Sequence, residues 1–179
     1  MKVVKFNNYN VNEENVKSIV TRVKAFIIND KNEVMLGHSK DCVQLPGGHR
    51  ENDEELEETL LREIGEEVGI QLDLNDIVGN FFEIRHYVKF EESITECSLH
   101  NIVYFLIKTN KKPNIKKVHL TEHEKENNFY VDTIKFDCLE NYLNKFIENQ
   151  EIDYFKGIAK EILLAYEELK NSELLEKNI

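Results

Sequence analysis

The stretch LPGGHRENDEELEETLLREIGEEVGI, Leu45–Ile70, decides how this chain is read. It places two adjacent glycines, an Arg-Glu pair and a Glu-Glu pair within 26 residues of a chain that already carries a net charge of −11. Asp53 to Val68 has helical spacing, with Asp53 as the expected N-cap, Glu in the first turn and Gly69 as the stop. With Glu63 at zero on a helical wheel, Glu67 falls at about 40° and Glu66 at about 300°. The three carboxylates therefore share one face. Leu60, Leu61, Ile64 and Val68 form the apolar stripe beside it. Like charges this close destabilise one another, and a hard divalent cation removes that penalty. A solvated surface helix is the competing account, since Glu is a good helix former. Glu55, Glu57 and Glu58 read that way.

Outward from the helix, the chain alternates strands and helices. Val20–Ile28 and Glu33–Gly37 are β-branched and apolar and flank the turn NDKN, predicting a hairpin. CVQLPGG is a short extended piece entering the glycine turn. Ile77–Phe90, Asn101–Lys108 and residues 128–134 read as strands, with EESITECSLH as a polar loop between the first two. Cys138–Ile147 and Tyr154–Leu169 repeat apolar residues at helical spacing. Residues 1–18 are polar and Asn-rich, irregular or a loose edge strand. The order predicts an α/β fold with a mixed sheet. No Gly/Ser/Pro linker divides the chain, so residues 1–179 are expected to form a single domain, with a core at 20–135 and a helical C-terminal extension at 136–179.

Composition bounds the function. With 41% hydrophobic and 32% charged residues, the chain is expected to be a soluble globular protein. It has no apolar run long enough for a bilayer, and MKVVKFNNYN has no secretory h-region, so a cytoplasmic location is expected. Cys42, Cys97 and Cys138 form no CxxC pair and predict reduced thiols. The acidic surface disfavours bulk nucleic acid but allows a small anionic ligand held through local cations or metal ions. His49, His86, His100, His119 and His123 have no zinc-ligand spacing.

The spacing Gly48, Glu54, Arg62-Glu63-Ile64, Glu66-Glu67, Gly69-Ile70 resembles the Nudix box of the MutT-like hydrolases, G-x5-E-x7-R-E-U-x-E-E-x-G-U, at every specified position. Leu45-Pro46-Gly47 and Glu51 resemble its usual lead-in. The resemblance implies an α/β/α sandwich and Mg²⁺- or Mn²⁺-dependent cleavage of a pyrophosphate bond in a nucleoside diphosphate linked to another moiety. It further implies Glu63, Glu66, Glu67 and the Gly47 carbonyl as metal ligands, with Glu54 and Arg62 supporting the helix and orienting the ligands. The general base falls to Glu122, Glu124 or Glu126 in the loop LTEHEKENN, or to Glu66. Arg22, Lys24, His49 and Arg50 are candidate phosphate contacts. Members that cleave ADP-ribose often carry a Pro some fifteen residues after the box, and NFFEIRHYVKF has none. Dinucleoside polyphosphate hydrolases often carry a Tyr there, and Tyr87 lies seventeen residues after Ile70. The alternative function is a nucleotide-binding sensor without efficient catalysis. The C-terminal amphipathic helix reads as core cover, with homodimerisation as its other use. Two departures from the family stand out. Asp53 replaces a glycine, and Gly65 interrupts the helix at a cost of about 1 kcal/mol relative to Ala unless it serves close packing.

Overall fold

The computed structural model describes residues 1–51, 53–90, 96–114 and 116–176, the His123 side chain excepted. In chain order the elements are β1 (Lys2–Phe6), β2 (Val16–Ile28), β3 (Glu33–Ser39), β4 (Cys42–Gln44), α1 (Leu56–Val68), β5 (Ile77–Lys89), β6 (Cys97–Lys108), α2 (Glu122–Glu126), β7 (Tyr130–Lys135), α3 (Leu139–Asn149) and α4 (Asp153–Lys170). The strands form one mixed sheet in the order β1-β5-β6-β2-β3-β4, with β7 on β3. β1 runs parallel to β5 and β2 parallel to β6, while the other pairs are antiparallel.

Strand alternation explains the layers. Val23, Ala25 and Ile27 of β2 and Val103, Phe105 and Ile107 of β6 bury one sheet face against Leu60, Ile64 and Val68 of α1. Phe26, Tyr104 and Leu106 point the other way and pack with Leu143 of α3 and Ile162, Ala165 and Leu169 of α4. Both faces of β2 and β6 are thus covered, which is why these strands read as nearly continuous apolar runs. The result is an α/β/α sandwich, with the mixed sheet that the order of elements predicts and the layering that the family resemblance implies. Each fully buried Leu, Ile or Phe contributes about 1.5–3 kcal/mol of transfer free energy to it.

Several local expectations are corrected. The N-cap is Glu55, whose N–H donates to Glu58 Oε2 at 2.9 Å, so these two glutamates are caps rather than idle solvated charges. Asp53 instead takes a left-handed turn at φ 69°, where a glycine is least strained. Cys97–His100 belong to β6 and not to a loop, while residues 91–95 of that predicted loop lie outside the described residues. Gly65 serves no close packing, because a Cβ there would meet nothing within 4 Å. Of the two readings of residues 1–18, the edge strand holds, since β1 is the terminal strand of the sheet, and the segment also supplies the start of β2.

One topological detail positions the site. β3 is registered with β2 at Ile28 and Val34 alone. The vacated edge of β2 is taken by the glycine turn. Ala25 N–H donates to Pro46 O at 3.0 Å, Val23 N–H to Gly48 O at 2.9 Å and Arg50 N–H to Thr21 O at 2.9 Å. The loop before α1 is therefore bonded to the sheet like a strand.

Candidate active site

Gly47 has φ +124°, and a Cβ on it would lie 2.3 Å from the Val23 carbonyl oxygen, so both conformation and space require glycine. Its N–H donates to Glu67 Oε2 at 2.8 Å, and its carbonyl accepts from the Lys24 ammonium. Gly48 bears on the site in another way. A Cβ there would lie 2.3 Å from Glu63 Oε2, so the absence of a side chain lets the Glu63 carboxylate rest on the turn.

The acidic face of α1 is graded in exposure. Glu67 is buried, the Glu63 side chain is 15% exposed and the Glu66 side chain 44%. Burial pushes the Glu67 carboxyl up to about 7, the charges of Glu63 and Glu124 adding to the rise while Lys24 and the Gly47 N–H oppose it. Burial also raises Glu63, against the pull of Arg62. Arg62 braces this face. Its Nε and Nη2 donate to Glu54 Oε1 and Oε2 at 2.7 and 3.0 Å, and its Nη1 reaches Glu63 Oε1 at 2.9 Å and Glu66 Oε2 at 3.3 Å. Glu54 also accepts from Thr59 Oγ1 at 2.8 Å, and the Arg62 fork holds its carboxyl down to about 2.

These residues border a cavity of about 900 Å³, near the upper end of the range for small-molecule sites. Arg22, Lys24, Gly47, His49, Arg62, Glu63, Glu66, Glu67 and Glu124 all line it. Arg50, Tyr87 and Glu122 do not. Arg50 binds the Glu54 carbonyl, Glu122 pairs with Lys125, and Tyr87 is buried with its hydroxyl 3.3 Å from Glu13. Strand parity explains Tyr87: its neighbours His86 and Val88 face the cavity, so it faces away. Glu124 is held by the N–H and Oγ1 of Thr121 at 2.6 and 2.8 Å. Arg22 Nε donates to His49 Nε2 at 2.8 Å, which makes that nitrogen an acceptor and the imidazole neutral. Burial first, then Arg22 and Lys24, lower His49, and burial with Arg22 lowers His100.

The far wall has no counterpart among the residues the sequence singles out. The first half of α4 lines the cavity with Tyr154, Phe155, Ile158 and Glu161, facing His86 and His100 of the sheet. Helical spacing marks a buried stripe there but gives no sign that half of it borders a cavity.

Oxygen donors of this kind suit Mg²⁺ or Mn²⁺. A buried carboxyl raised to about 7, beside a second raised carboxyl and a main-chain carbonyl, fits a divalent cation electrostatically. Among the described residues no three His, Cys, Asp or Glu side chains stand in ready-made metal geometry. Lys24 holds the Gly47 carbonyl, which a metal would need released.

An open α/β/α sandwich carrying this loop and helix defines a class, and the comparisons agree with it. The NUDIX domain family model matches residues 19–150. The chain belongs to the NUDIX family. The structure of a bifunctional NMN adenylyltransferase/ADP ribose pyrophosphatase from Francisella tularensis, complexed with AMP and Mn ion, is similar at TM-score 0.50 and 18% identity, covering 82% of this chain and 41% of that one. A MutT protein from Methanosarcina mazei Go1 is similar at TM-score 0.49 and 20% identity, over 81% of this chain and 93% of that one. A MutT NUDIX hydrolase from Burkholderia pseudomallei is similar at TM-score 0.47 and 20% identity, over 68% and 86%. No curated protein matches the chain in sequence. Among the described residues no helix is long and apolar enough to cross a membrane.

Proposed function

We propose that this chain is a divalent-metal-dependent pyrophosphohydrolase acting on a nucleoside diphosphate linked to another moiety. The observation that carries the reading is the raised, buried Glu67, bonded to the Gly47 turn at the edge of a cavity that Glu124 also faces. Glu63, Glu67 and the Gly47 carbonyl would hold Mg²⁺ or Mn²⁺, with Glu66 as a more exposed fourth donor. When bound, the metal would neutralise phosphate charge and acidify a water. Arg62 keeps Glu63 and Glu66 aimed, and Arg22, Lys24 and His49 line the cavity beside them as phosphate contacts.

Glu124 is the choice for the general base. It lines the cavity, Thr121 fixes one of its oxygens, and it is close enough to Glu67 to raise that carboxyl. Glu122 lies outside the cavity, and Glu66 is engaged by Arg62. A positioned base contributes about 10²–10⁴-fold to the rate.

The test is a turnover screen with Mg²⁺ and Mn²⁺ against dNTPs, dinucleoside polyphosphates, ADP-ribose and nucleotide sugars, with Glu67→Gln as control. Turnover above the control by about a hundredfold or more is expected for at least one substrate. No turnover above the control from any of them would overturn the reading. The contact between Lys24 and the Gly47 carbonyl favours a second reading, a nucleotide sensor in which lysine supplies the positive charge. Metal-independent ligand binding without turnover would select it.

A further inference from the structure

Two half-buried carboxylates lie beside the apolar stripe of α4: Glu168, which pairs with Lys2, and Glu161, which borders the cavity. Charged residues rarely occupy such a position without a partner. Glu161 sits in a stripe with Ile158 and Ile162, its side chain 21% exposed and its carboxylate turned toward the cavity. Its neighbour across the gap is His86 of β5, with Nε2 2.8 Å from Glu161 Oε1. That nitrogen is fully buried and has no aligned hydrogen bond among the described residues, so the close approach to His86 does not use the hydrogen-bonding capacity of the Glu161 carboxylate. Phe6 stacks on the His86 ring at 4.9 Å and 11°, fixing its plane.

The opposite end of the stripe is aromatic. Tyr154 lies two turns before Glu161 on the same helix face, about 10 Å along the axis. It is 67% exposed, and its ring meets Phe155 at 5.5 Å and 62°. An exposed tyrosine backed by a half-buried phenylalanine at a cavity mouth offers a face for a planar ring.

We propose that the α4 end of the cavity is a nucleobase site, in which Glu161, positioned by His86, reads the hydrogen-bonding edge of the base and Tyr154, with Phe155 behind it, covers its face. A carboxylate accepts, and every common base presents an N–H donor on its Watson–Crick edge. A second phosphate would be repelled by Glu161. The phosphates then lie at the Glu63–Glu67 end, and for that placement alone the inference rests on the pyrophosphohydrolase reading.

Calorimetric binding of AMP, GMP, CMP, UMP and ribose 5-phosphate to the full chain in Mg²⁺ tests it without requiring turnover, so its failure is separate from that of the turnover screen. At least one nucleotide is expected to bind about tenfold or more tighter than ribose 5-phosphate. Glu161→Ala removes that advantage while leaving ribose 5-phosphate unchanged. Tyr154→Leu weakens the same nucleotide severalfold. Glu161→Gln, which keeps size and adds a donor, alters the ranking of the four nucleotides and serves as the second variant if Glu161→Ala does not fold. If no nucleotide binds tighter than ribose 5-phosphate, or if the folded Glu161 variant keeps the wild-type ranking and affinities, the proposal is wrong.

Discussion

Glu54 and Glu67 belong to the same loop-helix unit and meet opposite fates. Glu54 accepts four hydrogen bonds, two from Arg62 and one each from Thr59 and the Glu51 N–H, and is held down to about 2. Glu67 accepts the Gly47 N–H, is buried, and is pushed up to about 7. The difference separates a carboxylate whose charge the fold already satisfies from one whose charge is left for something else to satisfy. Proximity in sequence says nothing of this; the number of donors and the depth of burial decide it.

The largest effect expected from breaking the contrast comes from Glu67→Gln. Turnover and divalent-metal affinity fall by about a hundredfold or more, while the metal-free melting temperature at pH 8 holds or rises, because a buried charge is gone and the Gly47 hydrogen bond is kept. A large drop in melting temperature would mean that Glu67 is structural. Arg62→Ala strikes the other side. It strips Glu54 of its fork and unbraces Glu63, so chemical denaturation should show a loss of about 2 kcal/mol together with weaker metal binding. Undiminished stability would remove Glu54 from its supporting role.

pH sharpens the same contrast. Unfolded Glu67 ionises near 4.5, whereas the folded carboxyl keeps its proton to about 7. The folded state therefore holds the extra proton across that window, and Glu67's contribution to metal-free stability falls as pH rises through it. Metal must displace the proton, so Mg²⁺ affinity should rise about tenfold per pH unit up to about 7 and then level off. Titration calorimetry at several pH values reads the slope, and a flat profile would contradict it. Glu54 has the reverse sign: its contribution is complete above about 4.5 and is lost as pH falls toward about 2. The smallest effect is Gly65→Ala, which fills open space on α1 and should stabilise the protein by about 1 kcal/mol without changing turnover.

Much of this site is legible in the sequence. The wheel places Glu63, Glu66 and Glu67 on one face, and the paired glycines mark a turn that excludes side chains. What is not legible depends on distant partners. Asp53 carries a capping residue type but sits where the chain must turn left-handed. Cys97–His100 are polar enough to read as loop, yet β2 and β5 pair with them on both sides. Tyr87 and His86 are adjacent, and alternation guarantees opposite faces. Only the packing of α4 decides which of them meets the cavity. Glu161 is an ordinary polar interruption in a helix until His86 stands opposite it.

The glycine turn bonded to the edge of β2 has a consequence for motion. Opening it breaks main-chain pairs at Val23 and Ala25 in the middle of the sheet, unlike the opening of a free surface loop. The amide protons of those two residues are therefore reporters of the glycine turn. Their exchange with deuterated solvent should be as slow as that of central strand amides, and any ligand that tightens the loop should slow it further.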